Sequence, residues 1–107
     1  MKEKIYISGK VTGVKRCIYH HQFAVKADVL KARGYIVLNP VRLNEPLVMQ
    51  EMDYEDLMKI CLAFVDVADV VYMLNGWEDS PGARREHERA INSGKRVIYE
   101  SVERGRK

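Results

Sequence analysis

Glu86 is the residue around which chemistry can be built in this chain. It ends the segment Asn75-Gly-Trp-Glu-Asp-Ser-Pro-Gly-Ala-Arg-Arg-Glu86, between a strand-like apolar run, Asp69-Val-Val-Tyr-Met-Leu74, and a helical pattern. Ser80 is a favourable N-cap and Pro81 suits the first helical position, so a helix is expected to begin there. Glu86 then lies about one turn beyond Gly82 and Ala83 on the same face, because neighbours at i+3 and i+4 share a face. Two very small residues leave open space below a carboxylate, and the unsatisfied N–H groups of the helix start point into that space. Such a hollow suits a sugar or a sugar phosphate better than it suits packed core. The plain alternative is that Glu86 is a surface residue like Glu88.

Other residues could join this acid. Tyr6 falls in the middle of the first strand-like run, where a buried tyrosine with one hydrogen bond is the ordinary reading. A hydroxyl aimed at a carboxylate is the sharper one. The loop Ser8-Gly-Lys-Val-Thr-Gly13 has two glycines four apart after a strand, which is neither a phosphate-binding P-loop nor a dinucleotide fingerprint. It is either a plain turn or a ligand loop in which Ser8, Gly9 and Gly13 approach the ligand and Lys10 or Thr12 reaches a phosphate or sugar hydroxyl. Trp77 is either a hydrophobic plug or a platform on which a base stacks. His20, His21 and His87 form neither an i,i+4 pair nor a Cys/His cluster, so no metal site is expected, and nothing calls for a cofactor. Asp69 opens its strand at the end remote from the crevice and reads as structural.

The elements that must position these groups alternate. Lys4–Ser8 reads as a strand ended by Gly9. From about Ile18 to Arg33, Tyr19, Phe23, Ala27 and Leu30 recur at helical spacing, with Gly34 as the stop. Tyr35–Leu38 is a short strand halted by Asn39-Pro40, and a loop is expected through Pro46. A second helix runs from about Met52 to Asp66, with Leu57, Cys61, Phe64 and Val65 on one side. Asp69–Leu74 is the third strand, Pro81–Ser93 the third helix, and Arg96–Tyr99 the fourth strand. Right-handed crossovers in such a βαβαβαβ chain give an α/β fold of the three-layer, flavodoxin- or Rossmann-like kind, with a four-stranded parallel sheet of order 2-1-3-4. The topological switch point then falls between strands 1 and 3, and both glycine-containing loops emerge there, at the carboxyl ends of the strands.

The 107 residues suffice for a single domain, spanning 1–107, with one modest core. No apolar run approaches the roughly 20 residues that cross a bilayer, and a strand begins almost at once without a signal-like apolar stretch, so a cytoplasmic protein is expected. Cys17 and Cys61 are too few and too far apart for a disulfide framework and read as reduced, partly buried thiols. The net charge of +3 hides segregation: residues 1–35 are basic, residues 44–79 hold nine acids against Lys59 alone, and the tail Arg104-Gly-Arg-Lys107 is basic again. A polymeric nucleic acid is not the expected partner, since its binders concentrate a larger excess on one surface. The alternation fits complementary faces of a homo-oligomer or a solvated surface, and the small core favours a homo-oligomer.

Taken together, Tyr6-Ile-Ser-Gly9 with Gly13, Ala68-Asp-Val-Val71, and Ser80-x-Gly-x-x-x-Glu86 followed by Arg89-Ala90 and Gly94-Lys95 resemble the nucleoside 2-deoxyribosyltransferase superfamily. The nearer likeness is to its 2′-deoxynucleoside 5′-phosphate N-hydrolase branch, and most of all to small bacterial and phage members with a Leu-x-Gly-Trp-Glu-x-Ser-x-Gly-Ala-Arg loop. The resemblance implies a nucleoside or nucleotide ligand. Glu86 would be the nucleophile that attacks C1′ of a 2-deoxyribosyl group, expels the base and forms a covalent glycosyl-enzyme. It implies that Tyr6 orients that carboxylate and that Ser80, with Gly82 and Ala83, holds a 5′-phosphate. The aspartate that would help protonate the leaving base aligns with Cys61, and relatives carry further C-terminal residues that complete a neighbouring subunit's site.

Overall fold

The protein, seen in a computed structural model, is described over residues 1–104; the rest of the basic tail, residues 105–107, lies outside the described residues. Strands β1 (Lys4–Ser8), β2 (Ile36–Leu38), β3 (Val70–Met73) and β4 (Arg96–Tyr99) form one parallel sheet of order β2-β1-β3-β4. The two central strands are buried almost throughout, as a parallel sheet covered on both faces requires.

Alternation along β1 divides the core. Ile5 and Ile7 face helix α1 (Arg16–Ala32), packing with its Phe23, Ala27 and Leu30 and with Val70 and Tyr72 of β3. Tyr6 faces the opposite layer, where helices α4 (Tyr54–Val67) and α5 (Pro81–Asn92) bring Val65, Ala83 and Ala90 against Val71 and Met73. Ser8 shares the side of Tyr6, because side chains two apart on a strand point the same way.

The connection after β2 is not the loop its sequence suggests. It folds into helices α2 (Pro40–Leu43) and α3 (Glu45–Met49). Asn39 caps α2 by accepting from the Val41 N–H at 3.1 Å, and Pro40 occupies the first turn. Helix α1 begins at Arg16, earlier than the periodicity places it. There the Arg16 guanidinium reaches Glu45 at 2.9 Å and ties the start of α1 to α3. Helix α4 begins at Tyr54 rather than Met52, because the Asp53 carboxylate caps it by accepting from the Glu55 N–H. A final helix, α6 (Glu100–Arg104), follows β4, and its Glu103 accepts a 2.6 Å hydrogen bond from Tyr72.

The segregated charges meet within the chain. Arg85 pairs with Glu55 and Arg89 with Asp66, joining α5 to α4, and Asp69 accepts from both the backbone and the side chain of Lys4. Asp69 thereby fixes the starts of β1 and β3, a structural role.

Gly9 marks a close approach where β1 leaves the sheet. A Cβ at this position would lie 2.9 Å from Cδ1 and 3.1 Å from Cβ of Leu74. Gly9→Ala is therefore expected to destabilise the fold by about 1–3 kcal/mol, the usual cost of overpacking. A lowered urea midpoint with unchanged slope is the check.

Among the described residues, no helix is long and apolar enough to cross a membrane.

Candidate active site

The site is built where β1 ends and α5 begins. Ser80 has extended backbone angles and accepts from the Ala83 N–H at 3.2 Å through its hydroxyl, while Pro81 takes the first helical position. That cap directs the first two turns of α5 at the carboxyl end of β1. Glu86, one turn in, is only 6% exposed and enters the space between the strand and the helix.

Two hydroxyls hold its carboxylate. Tyr6 donates to Oε2 at 2.7 Å and Ser8 donates to Oε1 at 2.6 Å. Both donors are themselves 1% exposed. Each oxygen thus receives one short, charge-assisted bond, which fixes the rotamer and the plane of the group. Burial pushes the Glu86 carboxyl above the usual range, and the hydrogen bonds from Ser8 and Tyr6 draw it part of the way back. Burial, reinforced by the Glu86 charge, drives the Tyr6 phenol well above its ordinary value, so it stays a donor.

Glu86 lines a cavity of about 260 Å³ with Tyr6, Cys61, Ser80, Gly82 and Ala83. The remaining wall is mostly apolar, from Val11, Tyr19 and Phe23 on one side to Val41, Val48, Leu57 and Met58 on the other. Glu86 is the single carboxylate among the described residues that line it, and no lysine or arginine does. The volume approaches the lower end of ordinary small-molecule pockets, about 300 Å³.

Gly82 leaves this room. A Cβ there would lie 3.0 Å from the Tyr54 hydroxyl and 3.3 Å from the Met58 sulfur, so a side chain would fill the hollow. The N–H groups at the helix start are fewer than the sequence suggests. Ala83 spends its N–H on the Ser80 cap and Pro81 has none, which leaves that of Gly82. The Ser80 hydroxyl still has its own proton to donate.

Cys61, on α4, stands where it reaches both Tyr6 and Glu86, and burial with the Glu86 charge raises its thiol to about 11. At neutral pH it is a neutral S–H group.

Of the remaining residues singled out in the sequence, only some reach the cavity. Ser8 backs Glu86 rather than lining the cavity, and Lys10 and Gly13 also lie outside its wall, whereas Gly9 and Thr12 are part of it. Trp77, in a short 3₁₀ turn over Trp77–Asp79, is not in the wall. Its ring packs 4.3 Å from that of His87 and 6.1 Å from that of Tyr99, and His87 Nε2 shares a 2.6 Å hydrogen bond with the Tyr99 hydroxyl. Trp77 is half-buried and packs against the core beneath β4 and α5. His20, His21 and His87 gather no further ligands, and among the described residues no three His, Cys, Asp or Glu side chains could hold a metal ion.

Sequence reasoning missed Asn44, Tyr54 and Met58, which complete the wall. The local signal for this region is Asn39 before Pro40, a capping residue and a first-turn proline, but the helices that follow are too short for local sequence alone to fix.

The family model described as "Domain of unknown function (DUF4406)" matches residues 3–99. The chain belongs to that family. No curated protein matches it. The DUF4406 domain includes all four strands and every residue of the cavity wall, from Tyr6 to Glu86, and α6 lies beyond the match. The buried carboxylate and its two hydroxyls are therefore contained within the DUF4406 domain rather than built from an appended segment.

Proposed function

We propose that the protein cleaves or exchanges the N-glycosidic bond of a 2′-deoxynucleoside, in its 5′-monophosphate form. The observation that carries this reading is the Glu86 carboxylate, buried in the wall of an apolar cavity and held by Tyr6 and Ser8 at 2.7 and 2.6 Å. A carboxylate kept poorly solvated and fixed in direction is a competent nucleophile toward an electron-poor carbon such as C1′. In this reading one Glu86 oxygen forms the bond to C1′ as the C1′–N bond breaks, and the base leaves with the bonding pair and takes up a proton. Water, or a second base, then attacks C1′ and returns the carboxylate. The apolar wall receives the base, and the Ser80 hydroxyl with the Gly82 N–H at the start of α5 receives the phosphate, where the helix dipole favours an anion.

Incubation with the deoxynucleoside 5′-monophosphates and the corresponding nucleosides tests the proposal by chromatography of free base. Release from at least one of them supports it, and none from folded protein overturns it.

A second reading is a protein that binds the nucleotide, or an ADP-ribose-like ligand, without turning it over. Cys61 favours it: a thiol near 11 is a poor acid for a departing base, and no other carboxyl lines the cavity among the described residues. Ligand at 100 times its dissociation constant would then add about 2.7 kcal/mol of stability with no chemical change.

Cys61→Asp separates the two. The new carboxyl beside Glu86 would hold a proton, since two adjacent carboxylates do not both ionise. An enzyme lacking only an acid should release base at least about tenfold faster, within the range general acids supply. A pure binder should show no release from either form.

A further inference from the structure

Asn44 sits at the junction of two helices, ending α2 and preceding α3. Asparagine before a helix ordinarily turns its side chain onto the first N–H groups as a cap. Asn39 does this a few residues earlier. Asn44 does not, for its side chain accepts no N–H of α3. It is instead 6% exposed and lines the cavity that contains Glu86. Its Nδ2 donates to the Cys61 sulfur at 3.4 Å, and Cys61 in turn adjoins Glu86.

The carboxamide oxygen accepts no hydrogen bond among the described residues. No side-chain oxygen or nitrogen among them is both fully buried and unpaired, so this oxygen keeps some accessible surface, on a residue that lines the cavity. A buried carboxamide that forgoes its cap and presents an empty acceptor to an apolar hollow is arranged for a ligand that brings a donor. A carboxamide has two Nδ2 protons, so one remains beyond the Cys61 contact, coplanar with the oxygen, and donor and acceptor can act as a pair. The complementary ligand edge carries an N–H next to an acceptor, as amino-substituted and lactam heterocycles do. Asparagine uses this two-point geometry on adenine in nucleic acids.

We propose that Asn44 reads the heterocyclic base of the ligand, its Oδ1 accepting from an amino or lactam N–H and its free Nδ2–H donating to the adjacent ring nitrogen or carbonyl oxygen. The proposal rests on the nucleoside reading of the cavity given above. It makes Asn44 a specificity-determining residue, and its bond to Cys61 fixes the carboxamide plane.

The test uses bases methylated at the glycosidic nitrogen, which fill the base site and have no bond to cleave. Calorimetry would compare 9-methyladenine, 9-methylguanine, 1-methylcytosine and 1-methylthymine with 9-methylpurine and 1-methyl-2-pyrimidinone, which have no N–H. Wild-type protein should bind the best of the four at least about tenfold more tightly than the analogue of its own ring type, the effect of one good hydrogen bond. Asn44→Ala should remove that preference by weakening the base and not the analogue. Asn44→Asp keeps the shape and loses the donor. It should also reduce the preference, and it serves if Asn44→Ala does not fold. A preference that survives both substitutions, an equal weakening of base and analogue, or no binding of any base overturns the proposal. Asn44-dependent preference without base release from nucleotides would retain this assignment and remove the catalytic one. Base release whose relative rates across bases are the same in wild type and Asn44→Ala would do the reverse.

Discussion

Glu86→Gln is expected to abolish base release, by at least about a thousandfold, while making the protein more stable at neutral pH. The loss follows from removing the only carboxylate in the cavity wall among the described residues, and nucleophile replacements commonly have effects of this size or larger. The gain follows from linkage. Burial raises the Glu86 carboxyl in the folded protein above its unfolded value. The stability such a group contributes is fully present below the unfolded value and is lost as pH rises through the folded one. Wild-type protein at neutral pH therefore bears the cost of a buried carboxylate, and an uncharged amide of the same shape removes it. Tyr6 and Ser8 can still pair with the amide by rotating their hydroxyl protons. A higher melting temperature for the variant at pH 8, with the difference shrinking toward zero as the pH falls below the ordinary carboxylate range, is the expected calorimetric result. A residue selected only for the fold would show the opposite: a loss of stability with no accompanying change in chemistry.

Tyr6→Phe should reduce kcat/KM roughly ten- to a hundredfold, because a hydrogen bond to a charged group is worth about 1.5–3 kcal/mol. The pH profile gives the more specific readout. The Tyr6 hydrogen bond lowers the Glu86 carboxyl, against the upward push of burial. The proposed nucleophile must be ionised, so base release is expected to fall as pH drops through the Glu86 value. Removing the phenol therefore moves the acid limb of the profile to higher pH. Ser8→Ala should move it the same way, since the Ser8 bond opposes burial most strongly. The packing of Tyr6 with Val65, Val71 and Met73 is hydrocarbon and survives the change to phenylalanine. An unshifted limb would mean that the phenol contributes only to the fold.

The fold and the centre of the site were legible because both rest on local rules. Alternating strand and helix periods, joined by short connections, leave a parallel sheet little choice of order, and β2-β1-β3-β4 is the observed one. Ser80, Pro81, Gly82 and Glu86 are placed by helix spacing alone, so the acid above a small-residue floor could be read directly. What failed depends on tertiary contact. Helices α2 and α3 are too short to persist unaided, and Arg16 reaching Glu45 and Asn44 reaching Cys61 help hold them in place. Those partners are far apart in sequence. Trp77 could not be assigned from its loop position, because its partners His87 and Tyr99 arrive from α5 and β4. Ser8 looked like a ligand contact for want of knowing that its hydroxyl is committed to Glu86. The same bond explains why an acid can be buried here at all.

The covalent step gives the most direct test. Wild-type protein in excess over a cleavable deoxynucleoside monophosphate would be quenched in acid at intervals from milliseconds to minutes and mapped by peptide mass. A deoxyribosyl phosphate adduct on Glu86 that rises with release of free base and then decays is the predicted result. Release of base with the peptide containing Glu86 unmodified throughout, or with the adduct on another side chain, would contradict it.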